Sequence, residues 1–143
     1  MAILRHETDS GAHFDWLFSR VQVEPGGDLL GPAGEPRELL AFRLAAALRF
    51  APGQTSACFE AEPMADHRLR YLAFEGDIGR GRGLVTRVAA GWCAIEGNAI
   101  RFCLDGAPGE FTLRVAPSSE VCTIELVRTS TVDALDLGAL VGR

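Results

Sequence analysis

Two of the three histidines in this chain lie close together near its beginning, beside an aspartate. Six residues separate His6 from His13, and Asp15 follows His13 after one further residue. On an extended strand residues i and i+2 share a face, and a paired strand can bring a third ligand beside them. Two imidazoles and one carboxylate are typical of a catalytic site for a divalent metal such as Mn, Fe or Zn. Ordinary hydrogen-bonded strand histidines are the alternative interpretation.

The segment that carries these residues predicts a pair of strands. In residues 13–18 aromatic side chains alternate with the candidate ligands, which puts the two sets on opposite faces of a strand. The aromatic set, Phe14, Trp16 and Phe18, is predicted to face the core. Asp-Ser-Gly at residues 9–11 is a turn signal, so His6 is expected on the preceding strand or turn.

The second half of the chain has the pattern of a β meander. Strands are predicted at 84–90, 92–96, 99–104, 110–115 and 121–128, with turns at 96–98, 105–106 and 117–119. Short strands at this spacing predict a barrel. Residues 24–37 are too rich in Gly and Pro for a regular element, and the 79–83 segment is expected to be a hairpin or loop.

Three segments allow more than one interpretation. Residues 38–50 combine high helix propensity with a pattern that also suits a strand. Residues 66–74 predict one or two helical turns capped by Asp66, on which Arg68 and Arg70 would face away from His67. The 130–143 tail predicts a short helix capped at residue 130 or 131, or a frayed end. The expected fold is mainly β, a closed or nearly closed small barrel of about six to eight strands with one or two short flanking helices.

Composition restricts the class of protein. The chain has 143 residues, 48% of them hydrophobic, which suits one domain spanning 1–143 and rules out a disordered chain. Charged residues throughout the first twenty leave no room for a signal-peptide core, and no apolar run is long enough to cross a bilayer. A cytoplasmic protein without membrane contact is therefore expected. The net charge of −5 argues against general coating of nucleic acid but leaves a local site for a nucleic-acid end open.

Cysteines and the second tryptophan are predicted to be structural. No C-x-x-C pair occurs among the four cysteines, which are Cys58, Cys93, Cys103 and Cys122. This spacing argues against a structural zinc site and against thioredoxin-like chemistry. Four small buried thiols are the expectation in a cytoplasmic setting. Trp92 is likewise expected to have a packing role.

Four motifs, in order along the chain, resemble one known family. They are HETDSGAHFDW at 6–16, ADHRLRYLAFEG at 65–76, GLVTRVAAGW at 83–92 and the pair IRFCLDG and GEFTL within 100–113. Together they are similar to the 3′-phosphoesterase domain of bacterial DNA ligase D, and all three histidines match motif histidines. The most specific piece is D-H-x-L-x-Y-x-x-F-E-G in the second motif.

The resemblance implies a site and an activity. It implies that His6, His13 and Asp15 bind a divalent metal, with manganese expected and zinc as the alternative. His67 would contact the scissile phosphate, with Tyr71 beside it. The implied substrate is a nucleic-acid 3′ end, from which a 3′-phosphate or a 3′-ribonucleoside is removed. The implied fold is a small β-barrel with flanking helices and the site in a groove, which makes 38–50 a strand.

Two arginines of the family pattern are absent from this chain. Leu17 and Phe59 stand where the family has phosphate-binding arginines. Arg43, Arg80 and Arg82 are candidate substitutes, Arg43 because it lies on a candidate strand, although exposed arginines are commonly only solvated. Two alternatives to a 3′-phosphoesterase therefore remain: a non-catalytic metal-binding or scaffold barrel, and a hydrolase of another small phosphoester.

Overall fold

Eight antiparallel strands close into a barrel. The computed structural model describes residues 1–24, 26–116, 120–129 and 134–140. The strands are β1 Ala2–Thr8, β2 Gly11–Ser19, β3 Leu39–Leu44, β4 Arg49–Phe50, β5 Ser56–His67, β6 Gly76–Asp77, β7 Leu84–Glu96, β8 Ala99–Leu104, β9 Phe111–Ala116, β10 Cys122–Arg128 and β11 Leu135–Asp136. The barrel order is β1-β2-β3-β5-β10-β9-β8-β7, and β7 pairs with β1 to close it. The predicted mainly β barrel is confirmed.

The short elements lie outside the barrel wall. β6 extends the sheet beside β7, and β4 pairs with β11 in a separate two-stranded ladder. In the described part of the chain the helical residues form two 3-10 turns, Pro32–Gly34 and Leu69–Leu72. These turns take the place of the short flanking helices that the sequence predicted.

Aromatic side chains fill the interior of the barrel. Trp16 and Phe18 on β2 are almost fully buried, as the alternation of that strand predicts. Phe102 and Phe111 stack across β8 and β9 with ring centroids 5.0 Å apart. Burial of each large apolar side chain contributes roughly 1.5–3 kcal/mol to stability. Interior packing is therefore the main source of stability of this wall.

A second apolar cluster covers part of the outside of the barrel. Its buried members are Ala2, Leu4, Leu17, Leu39, Ala41, Leu69 and Val85. The chain between β2 and β3 and the Leu69–Leu72 turn pack over these outward-facing side chains through Val23, Leu29, Tyr71 and Leu72. Gly34 permits this layer, because a Cβ at that position would lie 1.6 Å from the carbonyl oxygen of Leu29. Strands β1, β2 and β3 are thus covered on both faces along part of their length.

Strand pairing decides the segments that the sequence left open. Residues 38–50 form β3 and β4, so the helix propensity of this segment is overridden by pairing with β2 and β5. The predicted helical turns at 66–74 are wrong at their start, because His67 ends β5 and the 3-10 turn begins at Leu69. Asp66 does not cap that turn; its carboxylate pairs with Arg20 at 3.0 Å. The long strand β5 was not predicted.

The strands of the second half follow the predicted meander, and its tail does not follow the predicted helix. β8 has the predicted bounds, while the segments 84–90 and 92–96 form the single strand β7. The predicted turn at 117–119 and residues 130–133 and 141–143 of the tail lie outside the described residues. The described tail contains β11, and Leu135, Leu137 and Leu140 join the barrel core. The tail there adds apolar contacts instead of a helix.

Two predictions about burial are wrong in part. Among the cysteines Cys122 is buried and Cys93 half-buried, but Cys58 and Cys103 are exposed. Trp92 is 53% exposed instead of packed. These exposed residues lie on the parts of the outer faces of strands β5, β7 and β8 that the covering layer does not reach. Across the described ranges, no helix is both long enough and apolar enough to cross a bilayer.

Candidate metal centre and the adjoining pocket

The hairpin of β1 and β2 brings the three predicted metal ligands together. The two strands join through a tight turn after Thr8, which pairs with Gly11, and this confirms the predicted turn. In this register His6 is opposite His13, and Leu4 is opposite Asp15. All three candidate ligands project from the outer face of the barrel, because the alternate residues of β2 fill its interior.

The donor atoms of these side chains converge. Nδ1 of His6 lies 3.7 Å from Oδ2 of Asp15, and Nε2 of His13 lies 3.5 Å from the same oxygen. One ligand atom from each residue falls within 4.8 Å of the others. Ligands bonded at about 2.1 Å in a tetrahedral site are about 3.4 Å apart. The spacing therefore fits a shared divalent cation.

The hydrogen bond of His6 leaves its other nitrogen free to bind a metal. Nε2 of His6 lies 2.6 Å from the main-chain carbonyl oxygen of Arg82. A carbonyl oxygen only accepts hydrogen bonds, so in the neutral imidazole Nε2 carries the proton and Nδ1 has the lone pair. Metal-binding histidines commonly donate their second ring nitrogen to a carbonyl in this way.

His13 has a buried nitrogen without a hydrogen-bond partner. Among the residues that the structure describes, Nε2 of His13 makes no hydrogen bond, and 3.5 Å to Asp15 is too long for a strong one. Burial is the main cause that lowers the pKa of His13; Asp15 opposes this effect, and Arg43 adds to it. The imidazole is thus kept in the neutral form that binds metals. A buried polar atom of this kind calls for an explanation, and a metal ligand supplies one.

Arg43 holds the third ligand in place. The side chain of Asp15 is only 8% exposed, and Nε of Arg43 donates to its Oδ1 at 3.3 Å. The two residues are directly opposite each other on β2 and β3. Because Oδ1 is occupied by the guanidinium, Oδ2 is the oxygen that faces the two imidazoles. Arg43 was predicted to contact the substrate, and its observed contact is with the carboxylate.

A pocket of about 320 Å³ begins at this cluster and extends along the outer face. His6 and Asp15 line it together with the predicted catalytic residues His67, Tyr71 and Arg43. Apolar side chains form much of the rest of its wall: Leu4, Met64, Ile78 and Val85. The pocket therefore joins five of the six predicted site residues in one concave surface.

A β-bulge turns His67 toward this pocket. Met64 is opposite Ala41, and His67 is opposite Leu39, so β5 uses three steps where β3 uses two. Regular alternation from Met64 would point His67 into the barrel, and the extra residue returns it to the outer face. The His67 ring lies edge-on to that of Tyr71, with centroids 5.8 Å apart. The predicted pairing of His67 with Tyr71 is present in the geometry.

His67 and the cluster lie toward opposite ends of the pocket. His67 is opposite Leu39, whereas Asp15 is opposite Arg43, and these two positions of β3 are about 13 Å apart at 3.3 Å per residue. A ligand must extend along the pocket to contact both His67 and a cation at the cluster. The structure does not bring His67 into the ligand set itself.

His13 does not line this pocket but faces a second cavity. This cavity has a volume of about 340 Å³ and also contains Arg43. Glu60 and Glu62 of β5 form the acidic part of this second cavity. The candidate metal centre thus lies between an arginine-rich pocket and an acidic one, with Arg43 in the wall of both.

The residues at the family's arginine positions are committed to packing. Leu17 is fully buried in the outer apolar cluster. Phe59 packs on the ring of Trp16, with centroids 5.9 Å apart. Neither side chain lines the pocket, so neither position contributes to it in this structure.

Other arginines line the pocket instead. In addition to Arg43, the pocket contains Arg37, Arg68 and Arg82, but Arg80 is not among its lining residues. Arg37 was missed because it lies in the Gly/Pro-rich segment, where no periodicity assigns a direction. The prediction that Arg68 faces away from His67 is wrong, because this part of the chain is not an α-helix. No motif in the sequence indicates either residue.

Comparison with known proteins adds no assignment. The chain matches no family model and no curated protein. The resemblance to the 3′-phosphoesterase domain therefore remains a prediction, and the functional argument depends on the geometry of the site.

Proposed function

We propose that this protein is a divalent-metal-dependent phosphoesterase that acts on 3′ ends of nucleic acid. The observation that carries the proposal is the convergence of one donor atom each from His6, His13 and Asp15. In each case the surroundings favour a free lone pair: a carbonyl binds the other nitrogen of His6, Nε2 of His13 has no hydrogen-bond partner among the described residues, and Arg43 occupies the second oxygen of Asp15. Manganese is the expected ion, and zinc is the alternative.

A divalent ion in such a site polarises a phosphoryl oxygen and lowers the pKa of bound water. The chain's own residues would do the rest. Nδ1 of His67 lies 2.8 Å from the carbonyl oxygen of Ala65, so this nitrogen carries a proton and Nε2 is the atom that exchanges one. In the imidazolium form Nε2 would donate a hydrogen bond to a phosphate oxygen, or a proton to the leaving oxygen. Arginine side chains in the pocket would balance the charge of the phosphate.

The pocket suits a ligand about the size of a nucleotide. Its volume of about 320 Å³ lies at the lower end of the range for small-molecule sites. Arg37, Arg43, Arg68 and Arg82 outnumber the two lining aspartates, Asp15 and Asp66, and so give the pocket local positive charge in a chain whose net charge is −5. The apolar wall offers a surface for a sugar or base. A terminal nucleotide, with little contact to the remaining strand, matches this combination.

Two observations favour other functions. The small pocket and the acidic net charge also suit a free phosphoester of low molecular weight. The packing roles of Leu17 and Phe59 favour a metal-binding barrel without catalysis, since two guanidinium groups of the family pattern are missing. Both alternatives keep the metal site; the first changes its substrate, and the second removes the catalytic step.

Metal loading and then a primer assay separate the three functions. Protein purified without added metal is analysed for metal, then loaded with Mn²⁺ or Zn²⁺ and given primers that end in a 3′-phosphate or a 3′-ribonucleotide. His13→Ala is expected to abolish both metal binding and turnover, while Glu125→Ala on the open outer face of β10 serves as the matched control. Turnover of a small phosphomonoester but not of the primers favours a hydrolase of small phosphoesters. Metal binding without turnover of any substrate favours the non-catalytic barrel. Absence of metal binding contradicts all three functions.

A further inference from the structure

The loop of residues 79–83 is held in shape by its own hydrogen bonds. It joins β6 to β7, which pair as an antiparallel hairpin, as predicted. The main-chain N–H of Ile78 donates to the carbonyl of Gly83 at 3.0 Å, and that of Arg82 donates to the carbonyl of Gly79 at 3.1 Å. The guanidinium of Arg82 folds back and donates to the carbonyls of Ile78 and Gly79. This bracing gives the Arg82 carbonyl a defined direction.

Gly83 lets the loop approach the metal cluster. Its φ of +101° is unfavourable for any other residue type. A Cβ at this position would lie 2.0 Å from the carbonyl oxygen of Glu7 and 3.1 Å from Nε2 of His6. The close contact of loop and imidazole therefore requires the absence of a side chain at residue 83.

Strand pairing alone does not decide which nitrogen of His6 binds a cation. Pairing with His13 and Val85 sets the backbone of His6, but an imidazole on that backbone still has two tautomers. The 2.6 Å contact between Nε2 and the carbonyl of Arg82 selects the tautomer that is protonated at Nε2. Only in that tautomer does Nδ1, the nitrogen nearer Asp15, present a lone pair.

We propose that the 79–83 loop is a positioning element of the metal centre. Through the Arg82 carbonyl it fixes the tautomer and orientation of His6, and through Gly83 it reaches the distance at which this hydrogen bond forms. The inference rests on the proposed metal site and adds to it a determinant of metal affinity that lies outside the ligand set.

The tautomer can be measured directly in the unmodified protein. With three histidines in the chain, ¹⁵N-labelled imidazoles are assignable by long-range ¹H–¹⁵N NMR, using His13→Ala and His67→Ala spectra. In metal-free protein, at a pH where the imidazole is neutral, His6 is expected to be protonated at Nε2 and unprotonated at Nδ1. Addition of Zn²⁺ should then shift Nδ1 of His6 and Nε2 of His13. A His6 protonated at Nδ1, or a Zn²⁺ shift at its Nε2, would overturn the proposal.

A pair of glycine variants tests the loop itself. Gly83→Ala introduces a strained φ, an overlap with the carbonyl of Glu7 and a close contact with Nε2 of His6, whereas Gly79→Ala has a φ of +86° and nothing within 4 Å of its new Cβ. Loss of an outer partner of a metal ligand typically weakens metal binding about 10–100-fold, which is expected for Gly83→Ala in Zn²⁺ calorimetry, with less than about threefold for Gly79→Ala. Equal affinities in the two variants would contradict the positioning role.

These outcomes are separable from failure of the proposed function. If wild-type protein binds neither Zn²⁺ nor Mn²⁺, the metal site is wrong. If wild-type protein binds the ion and Gly83→Ala binds it equally well, only the role of the loop is wrong. Circular dichroism establishes that both variants fold, and if Gly83→Ala does not fold, the NMR tautomer of the wild-type protein decides.

Discussion

The two faces of β2 differ in how fully their side chains are packed and hydrogen-bonded. On the inner face Trp16 and Phe18 are buried among other aromatic rings. On the outer face His13 and Asp15 are also largely buried, yet a nitrogen of His13 has no partner among the described residues. Buried polar groups without partners reduce stability. Such a departure from good packing within one strand is characteristic of functional sites.

The largest difference between the two faces should appear in unfolding experiments. Trp16→Ala is expected to lower the free energy of unfolding by about 3–5 kcal/mol, because it leaves a cavity among aromatic rings. His13→Ala on the outer face is expected to cost about 1 kcal/mol or less, since it removes a nitrogen that makes no hydrogen bond to any described residue. Urea denaturation of both variants measures this contrast. A similar loss in both would show that His13 has an ordinary structural role.

Substitutions at the two ends of the pocket should have different effects, one on catalysis and the other on metal binding. His67→Ala is expected to lower kcat on a 3′-phosphate primer about 10²–10⁴-fold, the usual loss when a general acid or base is removed. Its metal affinity should equal that of wild type, because His67 lies outside the ligand set. Steady-state kinetics together with Zn²⁺ calorimetry separate the two effects. Weakened metal binding in His67→Ala would contradict the division of the pocket into two ends.

Metal should stabilise the outer face and leave the interior unchanged. A ligand that binds only the folded state at one hundred times its Kd adds about 2.7 kcal/mol to the free energy of unfolding. Wild-type protein and the core variant Trp16→Ala are both expected to gain this amount with saturating Zn²⁺, while His13→Ala gains none. Thermal unfolding with and without Zn²⁺ provides the measurement. Equal stabilisation of His13→Ala would place the ion elsewhere in the protein.

The smallest expected effect concerns the thiols on the two faces of the barrel. Cys58 and Cys103 are exposed and should react with a thiol reagent in the folded protein. Cys122 is buried, its Sγ donates to the carbonyl of Ala61 at 3.2 Å, and burial raises its pKa, which keeps it as an unreactive thiol. Labelling and mass spectrometry should find Cys122 modified only after unfolding. Rapid modification of Cys122 would indicate that this wall opens readily.

Local pattern was sufficient for the hairpin that carries the metal ligands. Alternation over residues 13–18 and a turn signal at 9–11 predict the faces of β2, and both are confirmed. The convergence of His6 with His13 and Asp15 arises from these two features, since a tight hairpin leaves little freedom in register. The 99–104 strand could be predicted equally well, because the strands next to it in sequence are also its neighbours in the sheet.

Long-range pairing explains what the sequence could not predict. β5 pairs on one side with β10, which lies far from it in sequence, and its bulge near residue 65, beside β3, leaves no regular alternation to detect. Because β5 was not predicted, the local pattern assigned His67 to helical turns and placed Arg68 facing away from it. In the structure His67 ends β5, and both residues line the pocket. The exposure of Cys58, Cys103 and Trp92 has the same origin, since it depends on where the covering layer ends.

From its sequence alone, this protein is a mainly β chain whose first hairpin presents two imidazoles and a carboxylate on one face, because alternation and a tight turn are local properties. Only the tertiary structure decided which groups surround that face. Arg43 reaches Asp15 across β3, the Arg82 carbonyl reaches His6 from a loop 76 residues later in the chain, and a bulge turns His67 toward the same pocket. Each of these contacts depends on barrel closure or strand register, which arise from the packing of the whole chain.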